Sequence, residues 1–219
     1  MTLRFDPTLY LVTDPGLARG RMLSDVVAAA VRGGVTLVQL RDKQAGGRAL
    51  LEMAQALKAV LDPEGVPLIV NDRADVARAA GAAGCHVGQS DLPATEARAI
   101  LGPDAILGVS IDAAVQARGI DPALVDYVAY GPFAATATKA DAGRPIGADG
   151  LAAARKLTGL PLIAIGGIDA GNAAAAVRAG ADGIAVVSAI MAAADPAAAS
   201  RELRGAIEAA RRQTAEVAR

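Results

Sequence analysis

Three polar side chains alternate along one extended segment at the end of an apolar run. Gln39, Arg41 and Lys43 lie in the stretch VQLRDK. Alternate residues of an extended strand point to the same side, so one amide and two cations would share a face. Such a face suits a polyanion. The alternative is a solvated strand end, which we favour less because Gln39 follows a run typical of a buried strand.

Two carboxylates follow the next two apolar runs. Asp72 ends PLIVND and Asp91 ends HVGQSD, which predicts that both lie at the ends of neighbouring strands. Proteins bind Mg²⁺ through one or two carboxylates together with substrate phosphates, so this pair beside a cationic face suggests a magnesium site. Helix capping explains each aspartate equally well, because Asp72 precedes a predicted helix and Asp91 precedes Pro93 in the same way.

A long segment in the second half of the chain offers a different set of phosphate ligands. Thr136, Thr138 and Lys139 alternate with alanines, and a Gly-Arg-Pro run shortly after them disfavours both helix and strand. Hydroxyl donors and one ammonium group suit a phosphate-binding loop. A solvated turn explains this composition equally well.

His86 is the only histidine, and it lies beside Cys85 in a short apolar run. We therefore interpret it as a core or wall residue rather than a catalyst. The sequence offers no Ser-His-Asp or Cys-His arrangement without it, and no CxxC or HExxH metal motif.

Short apolar runs alternate with alanine-rich amphipathic segments along the chain. The predicted strands are Leu9–Thr13, Val35–Leu40, Pro67–Val70, Cys85–Val87, Ala105–Val109, Tyr127–Phe133, Leu162–Ile165 and Ile184–Val187. The predicted helices are Leu23–Arg32, Arg48–Val60, Ala74–Ala80, Ala94–Leu101, Ala113–Arg118, Leu151–Leu157, Ala173–Ala179 and Pro196–Arg212. Continuous apolar strands are typical of parallel strands covered on both faces. This alternation predicts a single (β/α)₈ barrel over residues 1–219, and a doubly wound open sheet is the alternative.

In a (β/α)₈ barrel the active site lies at the carboxyl ends of the strands. Nearly every predicted strand ends in polar residues or glycine, among them Thr13-Asp14, Asn71-Asp72, Ser110, Gly166-Gly167 and Val187-Ser188. The glycine pair and Ser188 follow the last two strands, where barrels often hold a phosphate on backbone N–H groups. A tight turn would also explain the two glycines.

Composition excludes several classes of partner. The net charge is −1 and aromatic residues make up 2% of the chain, so neither a basic surface nor stacking platforms for nucleic acid are expected. The longest apolar runs are too short to span a membrane, and the N-terminus lacks the features of a signal peptide. Cys85 is the only cysteine, which favours a reducing compartment. We expect a cytoplasmic protein that acts on small molecules, while the sequence leaves open whether it forms a homo-oligomer.

From YLVTD near the N-terminus to VVSAI near residue 190, the chain resembles the thiamine-phosphate synthase family. The motifs that carry the resemblance are VQLRDK, PLIVNDRADVA, HVGQSDLP, GVS, GPFAATATKADA and AIGGI, in this order. The resemblance implies a Mg²⁺-dependent (β/α)₈ transferase. Such an enzyme joins 4-amino-2-methyl-5-hydroxymethylpyrimidine diphosphate to 4-methyl-5-(2-phosphoethyl)thiazole, releases diphosphate and forms thiamine phosphate.

The resemblance also implies a role for each candidate residue. The pyrimidine diphosphate would be bound by Gln39, Arg41, Lys43, Asn71, Ser110 and Lys139, of which Arg41, Lys43, Ser110 and Lys139 would be catalytic. The thiazole phosphate would be bound by Thr136, Ala137, Thr138, Gly167, Val187 and Ser188. Asp72 and Asp91 would hold the Mg²⁺ ion.

Two rival functions remain at this stage. A thiazole tautomerase on the same barrel would need a positioned acid or base, and His86 is the natural candidate. A non-catalytic phosphate-binding barrel would bind ligands without Mg²⁺-dependent turnover.

Overall fold

Residues 4–136 and 143–217, the part of the chain described by the computed structural model, form a closed barrel of parallel strands in chain order. The strands are β1 (Leu9–Val12), β2 (Leu37–Leu40), β3 (Leu68–Asn71), β4 (Gly84–Val87), β5 (Ile106–Ile111), β6 (Tyr127–Tyr130), β7 (Leu162–Ile165) and β8 (Gly183–Val186). The barrel closes where β1 pairs with β8, with Leu9 opposite Ile184. The predicted (β/α)₈ barrel is therefore confirmed, and the open-sheet alternative is wrong.

Helices follow the strands and cover the outside of the barrel. They are α1 (Leu23–Arg32), α2 (Gly47–Leu61), α3 (Ala74–Ala80), α4 (Ala94–Leu101), α5 (Gly147–Arg155), α6 (Ala173–Arg178), α7 (Ser188–Met191) and α8 (Pro196–Val217). Short 3₁₀ helices occur at Pro15–Ala18, Asp62–Glu64 and Ala114–Gly119. None of the helices within the described ranges is long and apolar enough to cross a membrane.

The sequence predicted most element boundaries to within a few residues, and the exceptions have local causes. The segment after β5 is a 3₁₀ helix rather than an α-helix. Helix α5 starts at Gly147 instead of Leu151, because backbone hydrogen bonds from Ile146 and Gly147 to Pro132 and Phe133 fix its first turn. The four-residue helix α7 is too short to show a helical period in the sequence.

The strands are apolar throughout because each face packs into a different layer. Leu9 and Leu11 of β1 point outward to the layer under the helices, whereas Tyr10 and Val12 point into the barrel. The inward layer contains Phe5, Tyr10, Val12, Leu37, Ile69, Ile106, Tyr127, Ala129, Ile163 and Ala185. Residues at every second position of each strand therefore line the barrel interior.

Two glycines give opposite predictions for stability. A Cβ atom added at Gly84 of β4 would lie 1.8 Å from the carbonyl oxygen of Ile106, so the neighbouring strand would have to move. An added Cβ at Gly205, inside α8, meets no heavy atom within 4 Å among the described residues. We expect Gly84→Ala to lower the free energy of unfolding by about 2 kcal/mol or more, and Gly205→Ala to raise it by about 1 kcal/mol.

Denaturant unfolding followed by circular dichroism measures both changes. An unchanged or higher midpoint in Gly84→Ala would contradict the close approach of β4 and β5, and a lower midpoint in Gly205→Ala would contradict the open space around that position.

Candidate active site

A cavity of about 1060 Å³ opens at the carboxyl ends of the strands. Every predicted site residue that lies in the described part of the chain lines it, namely Gln39, Arg41, Lys43, Asn71, Asp72, Asp91, Ser110, Thr136, Gly167, Val187 and Ser188. The remaining predicted residues, Ala137, Thr138 and Lys139, lie outside the described residues. Residues scattered over most of the sequence thus meet in one place, as the barrel topology requires.

The cationic face begins on β2 and continues past its end. Gln39 is buried inside the barrel, and Arg41 and Lys43 extend the same side into the cavity. The buried hydroxyl of Thr13 accepts a hydrogen bond from the Arg41 backbone N–H at 3.0 Å. This bond between β1 and β2 fixes the direction in which the Arg41 side chain leaves the strand.

Asp72 and Asp91 form a carboxylate pair beside Lys43. The Lys43 Nζ lies 2.5 Å from Asp72 Oδ2, and the two carboxyl groups are within hydrogen-bonding distance of each other. Burial raises the pKa of Asp72 in spite of Lys43, and the adjacent Asp91 adds to the effect. Burial would also raise the pKa of Asp91, but hydrogen bonds from Asp72 and from the Gly88 N–H outweigh it and lower that pKa.

Neither aspartate caps a helix. The residue before α3 is Arg73 and the residue before α4 is Pro93, and no side-chain capping bond is present at either end. Asp91 Oδ2 instead accepts a 2.7 Å hydrogen bond from the Gly88 N–H within its own loop. Asp72 has a left-handed backbone with φ of 62°, a conformation that aspartate and asparagine tolerate better than most residues. The capping alternative is therefore wrong for both residues.

The carboxylate pair fits Mg²⁺ in its chemistry. Two carboxylates in contact repel each other when both are ionised, and a divalent cation would relieve that repulsion. Within residues 4–136 and 143–217, no group of three or more His, Cys, Asp or Glu side chains could hold a metal. Asp72 and Asp91 would thus supply only part of a coordination shell, with substrate phosphates and water completing it.

A chain of hydrogen bonds crosses the barrel below the cavity. The Gln39 Nε2 donates to the Tyr10 hydroxyl at 2.7 Å, and the hydroxyls of Tyr10 and Tyr127 are 2.8 Å apart. The Tyr127 hydroxyl lies 3.0 Å from Nδ1 of His86, whose Nε2 lies 2.8 Å from Ser110 Oγ. Burial raises the pKa of both tyrosines, so both hydroxyls keep their protons.

This series of hydrogen bonds confirms one prediction and corrects another. His86 is a buried wall residue, as expected, and burial lowers its pKa to about 4. Ser110 does not follow β5 but lies within it, because the strand runs to Ile111. Its side chain still reaches the cavity, since positions 106, 108 and 110 all face inward.

The opposite wall of the cavity is built from glycine, serine and exposed backbone. Gly166 and Gly167 follow β7 with φ of 92° and 66°. A Cβ atom on Gly167 would lie 2.5 Å from the carbonyl oxygens of Ala134 and Ala135, so only glycine fits there. Asn172 Nδ2 donates to the Gly167 carbonyl at 2.8 Å and fixes this turn. Ser188 opens α7 beside it.

The structure adds lining residues that the sequence did not single out as ligands. Arg144 and Gln89 line the cavity, and Gln89 Nε2 donates to the Ser110 carbonyl at 2.7 Å. Tyr10 also reaches the cavity from inside the barrel. Tyr10 and Tyr127 could have been suspected from the sequence, because the chain contains only three tyrosines and both of these lie in apolar strands.

A closed parallel barrel with a charged cavity at its carboxyl end defines a (β/α)₈-barrel enzyme. A family model described as thiamine monophosphate synthase matches residues 9–190. The chain belongs to the thiamine monophosphate synthase family, and the resemblance noted in the sequence is confirmed.

Relatives match over almost their whole length. A thiamine-phosphate synthase from Xanthobacter autotrophicus is 56% identical over 207 residues, covering 94% of this chain and 98% of the relative. One from Azorhizobium caulinodans is 54% identical over 208 residues, covering 95% and 98%. A solved thiamine phosphate pyrophosphorylase from Pyrococcus furiosus superposes with a TM-score of 0.85 at 35% identity, covering 94% of this chain and 97% of that one. A 3-hexulose-6-phosphate synthase, with a TM-score of 0.65 and 21% identity, shares the fold alone.

The buried histidine predicts how stability depends on pH. Burial lowers the pKa of His86 from 6.5 to about 4, so between these values the unfolded chain binds a proton that the folded protein does not. The contribution of His86 to the free energy of unfolding is then fully present above pH 6.5 and is lost as the pH decreases toward 4. The total loss from this group should be on the order of 3 kcal/mol.

Denaturant unfolding at pH 7, 6 and 5 measures this dependence in the wild type and in His86→Gln. The variant keeps all carboxylates and should lose less stability over this interval. Equal losses in the two proteins would show that His86 is not held neutral in the fold.

Proposed function

We propose that the chain couples 4-amino-2-methyl-5-hydroxymethylpyrimidine diphosphate to 4-methyl-5-(2-phosphoethyl)thiazole, releasing diphosphate and forming thiamine phosphate. The observation that carries the proposal is the pairing of the cationic face, Arg41 and Lys43, with the carboxylate pair, Asp72 and Asp91, in one cavity. The full-length match to thiamine-phosphate synthases supports it.

The diphosphate end of the first substrate would bind on the β2 to β5 side of the cavity. Arg41 and Lys43 supply positive charge, and Gln39, Asn71 and Ser110 supply neutral hydrogen-bonding groups around it. Lys139 would complete this set, although it lies outside the described residues. A Mg²⁺ ion held by Asp72 and Asp91 would stabilise the negative charge that grows on the departing diphosphate.

The phosphate of the second substrate would bind on the opposite wall. Gly167, Val187, Ser188 and Thr136 line this wall, and backbone N–H groups together with the Ser188 hydroxyl would bind the phosphate. Ala137 and Thr138 would extend this site from outside the described residues. With the two anionic groups held on opposite walls, the thiazole nitrogen and the pyrimidine methylene carbon can meet between them.

The reaction we propose is a dissociative substitution. The electron-rich aminopyrimidine stabilises positive charge on the methylene carbon, so the C–O bond to diphosphate breaks before the C–N bond forms. Arg41 and Lys43 lower the barrier by neutralising the leaving group. The thiazole nitrogen attacks with its own lone pair, and for that reason no general base is required.

The hydrogen bonds of His86 disfavour the tautomerase alternative. Both of its ring nitrogens are hydrogen-bonded, one to Tyr127 and one to Ser110. His86 is 6% exposed, and burial holds its pKa far below neutral. A histidine in this state is poorly suited to exchange protons with a substrate in the cavity.

The metal proposal predicts that Asp72→Asn and Asp91→Asn each lower the rate of diphosphate release by about 100-fold or more. Asparagine is the appropriate replacement at position 72, because it tolerates the left-handed backbone that alanine would strain. EDTA should abolish turnover of the wild type, and added Mg²⁺ should restore it. Mn²⁺ binding, followed by electron paramagnetic resonance, should weaken in both variants.

Asp104→Asn is the matched control, since Asp104 is exposed and precedes β5 at the opposite end of the barrel. Wild-type turnover and Mn²⁺ affinity in Asp72→Asn and Asp91→Asn alike would remove the metal role from this pair.

The leaving-group proposal predicts that Arg41→Ala lowers kcat/KM for coupling by about 10- to 100-fold, the effect of losing a charged hydrogen bond of about 1.5 to 3 kcal/mol. Arg201→Ala, on the exposed face of α8, controls for general loss of positive charge. Diphosphate release and thiazole isomerisation should be assayed in parallel. If the wild type shows no coupling and Arg41→Ala still isomerises the thiazole, the tautomerase is favoured instead.

A further inference from the structure

Five side chains from five strands form one continuous chain of hydrogen bonds inside the barrel. In order they are Gln39 of β2, Tyr10 of β1, Tyr127 of β6, His86 of β4 and Ser110 of β5. Its inner members are almost fully buried, whereas Ser110 is only partly buried and faces the cavity. The hydrogen bonds therefore link the barrel interior to the Ser110 hydroxyl, which lines the cavity.

Because a buried hydroxyl hydrogen needs an acceptor, the first bond sets the direction of all the others. The amide nitrogen of Gln39 can only donate, so the Tyr10 oxygen accepts and the Tyr10 hydrogen is left for the Tyr127 oxygen. The Tyr127 hydrogen then points to Nδ1 of His86, which must accept it and so carries no proton.

The last bond decides what Ser110 offers to a ligand. With Nδ1 unprotonated, the single proton of the neutral imidazole lies on Nε2, which donates to the Ser110 oxygen 2.8 Å away. That bond uses a lone pair of the hydroxyl and leaves its hydrogen available. The hydrogen can then point into the cavity.

We propose that His86 is a positioning residue that presents Ser110 as a hydrogen-bond donor to an anionic group in the cavity. An anion only accepts hydrogen bonds. A serine that donated its hydrogen to His86 would therefore offer the anion only lone pairs. The inference rests on the proposed function in one respect: it takes the anion to be the diphosphate of the first substrate.

The glycine at position 108 leaves the space in which the rings of Tyr127 and His86 pack. A Cβ atom at this inward position would lie 2.0 Å from Cζ of Tyr127 and 2.5 Å from Nδ1 of His86. The stacked pair of rings, with centroids 5.4 Å apart, occupies the space that a side chain on β5 would fill.

The protonation of His86 can be read directly, because it is the only histidine of the chain. In untagged protein labelled with ¹⁵N-histidine, a long-range ¹H–¹⁵N spectrum at neutral pH should show Nε2 protonated and Nδ1 unprotonated. Tyr127→Phe removes the donor to Nδ1 and should give a mixture of tautomers. Protonation on Nδ1 in the wild type would reverse the direction of the hydrogen bonds and overturn the proposal.

Activity variants test whether His86 acts through Ser110. His86→Gln places an amide nitrogen near the position of Nε2 and should keep most of the turnover. His86→Asn is too short to reach Ser110 and should lose as much as Ser110→Ala. We expect a loss of about three- to tenfold in both, as for one hydrogen bond. Tyr130→Phe is the matched control for Tyr127→Phe, since Tyr130 lies on β6 but packs in the outer layer.

Double variants distinguish positioning from packing. In the Ser110→Ala background, Tyr127→Phe and His86→Asn should lower kcat/KM no further, because their effect passes through the missing hydroxyl. Losses that multiply would assign His86 a structural role and overturn the proposal. If Ser110→Ala couples the substrates at the wild-type rate, the donor role fails while the proposed function stands. If no protein in the series releases diphosphate, the proposed function itself fails.

Thermal unfolding of each variant should accompany these assays. Tyr127→Phe keeps the ring that fills the barrel, so it tests the proposal even if His86→Asn does not fold.

Discussion

The closed barrel imposes one constraint on everything inside it: a buried polar group must be paired with another inward group. Its interior is about as wide as the side chains that fill it, and an unpaired buried donor or acceptor costs about 1 to 3 kcal/mol. Among the described residues, no buried side-chain nitrogen or oxygen lacks a partner. Gln39, Tyr10, Tyr127 and His86 satisfy this condition only together, because each uses the next as its partner.

The same constraint orders the barrel from one end to the other. Phe5 and Ile106 fill the amino end with apolar atoms, and the hydrogen-bonded side chains occupy the middle. Charged groups such as Arg41 and Asp72 line the cavity at the carboxyl end. Charge thus lies at a depth where ions can be solvated or paired, and an anionic substrate would bind at this mouth.

The sequence was sufficient to predict the fold because parallel strands covered on both faces leave uninterrupted apolar runs. It also predicted the residues that line the cavity, since the ends of all strands meet at one end of a barrel. It could not predict which strand residues face inward, because an apolar run such as LYLV gives no sign of alternation. For that reason the hydrogen bonds from Tyr10 to Ser110 went unpredicted, and the position of Ser110 within β5 was missed because the strand continues two residues beyond its apolar run. The left-handed backbone of Asp72 was hidden for a different reason, since it depends on the contacts of its loop.

The charges at the mouth are balanced in a way that suits exchange of partners. Lys43 pairs with Asp72, and Asp72 contacts Asp91. Under the proposed function, a diphosphate with Mg²⁺ brings both an anion for Lys43 and a cation for the two carboxylates. Lys43 would then exchange Asp72 for the diphosphate, Asp72 would exchange Lys43 for the cation, and the cation would relieve the repulsion between the two carboxylates.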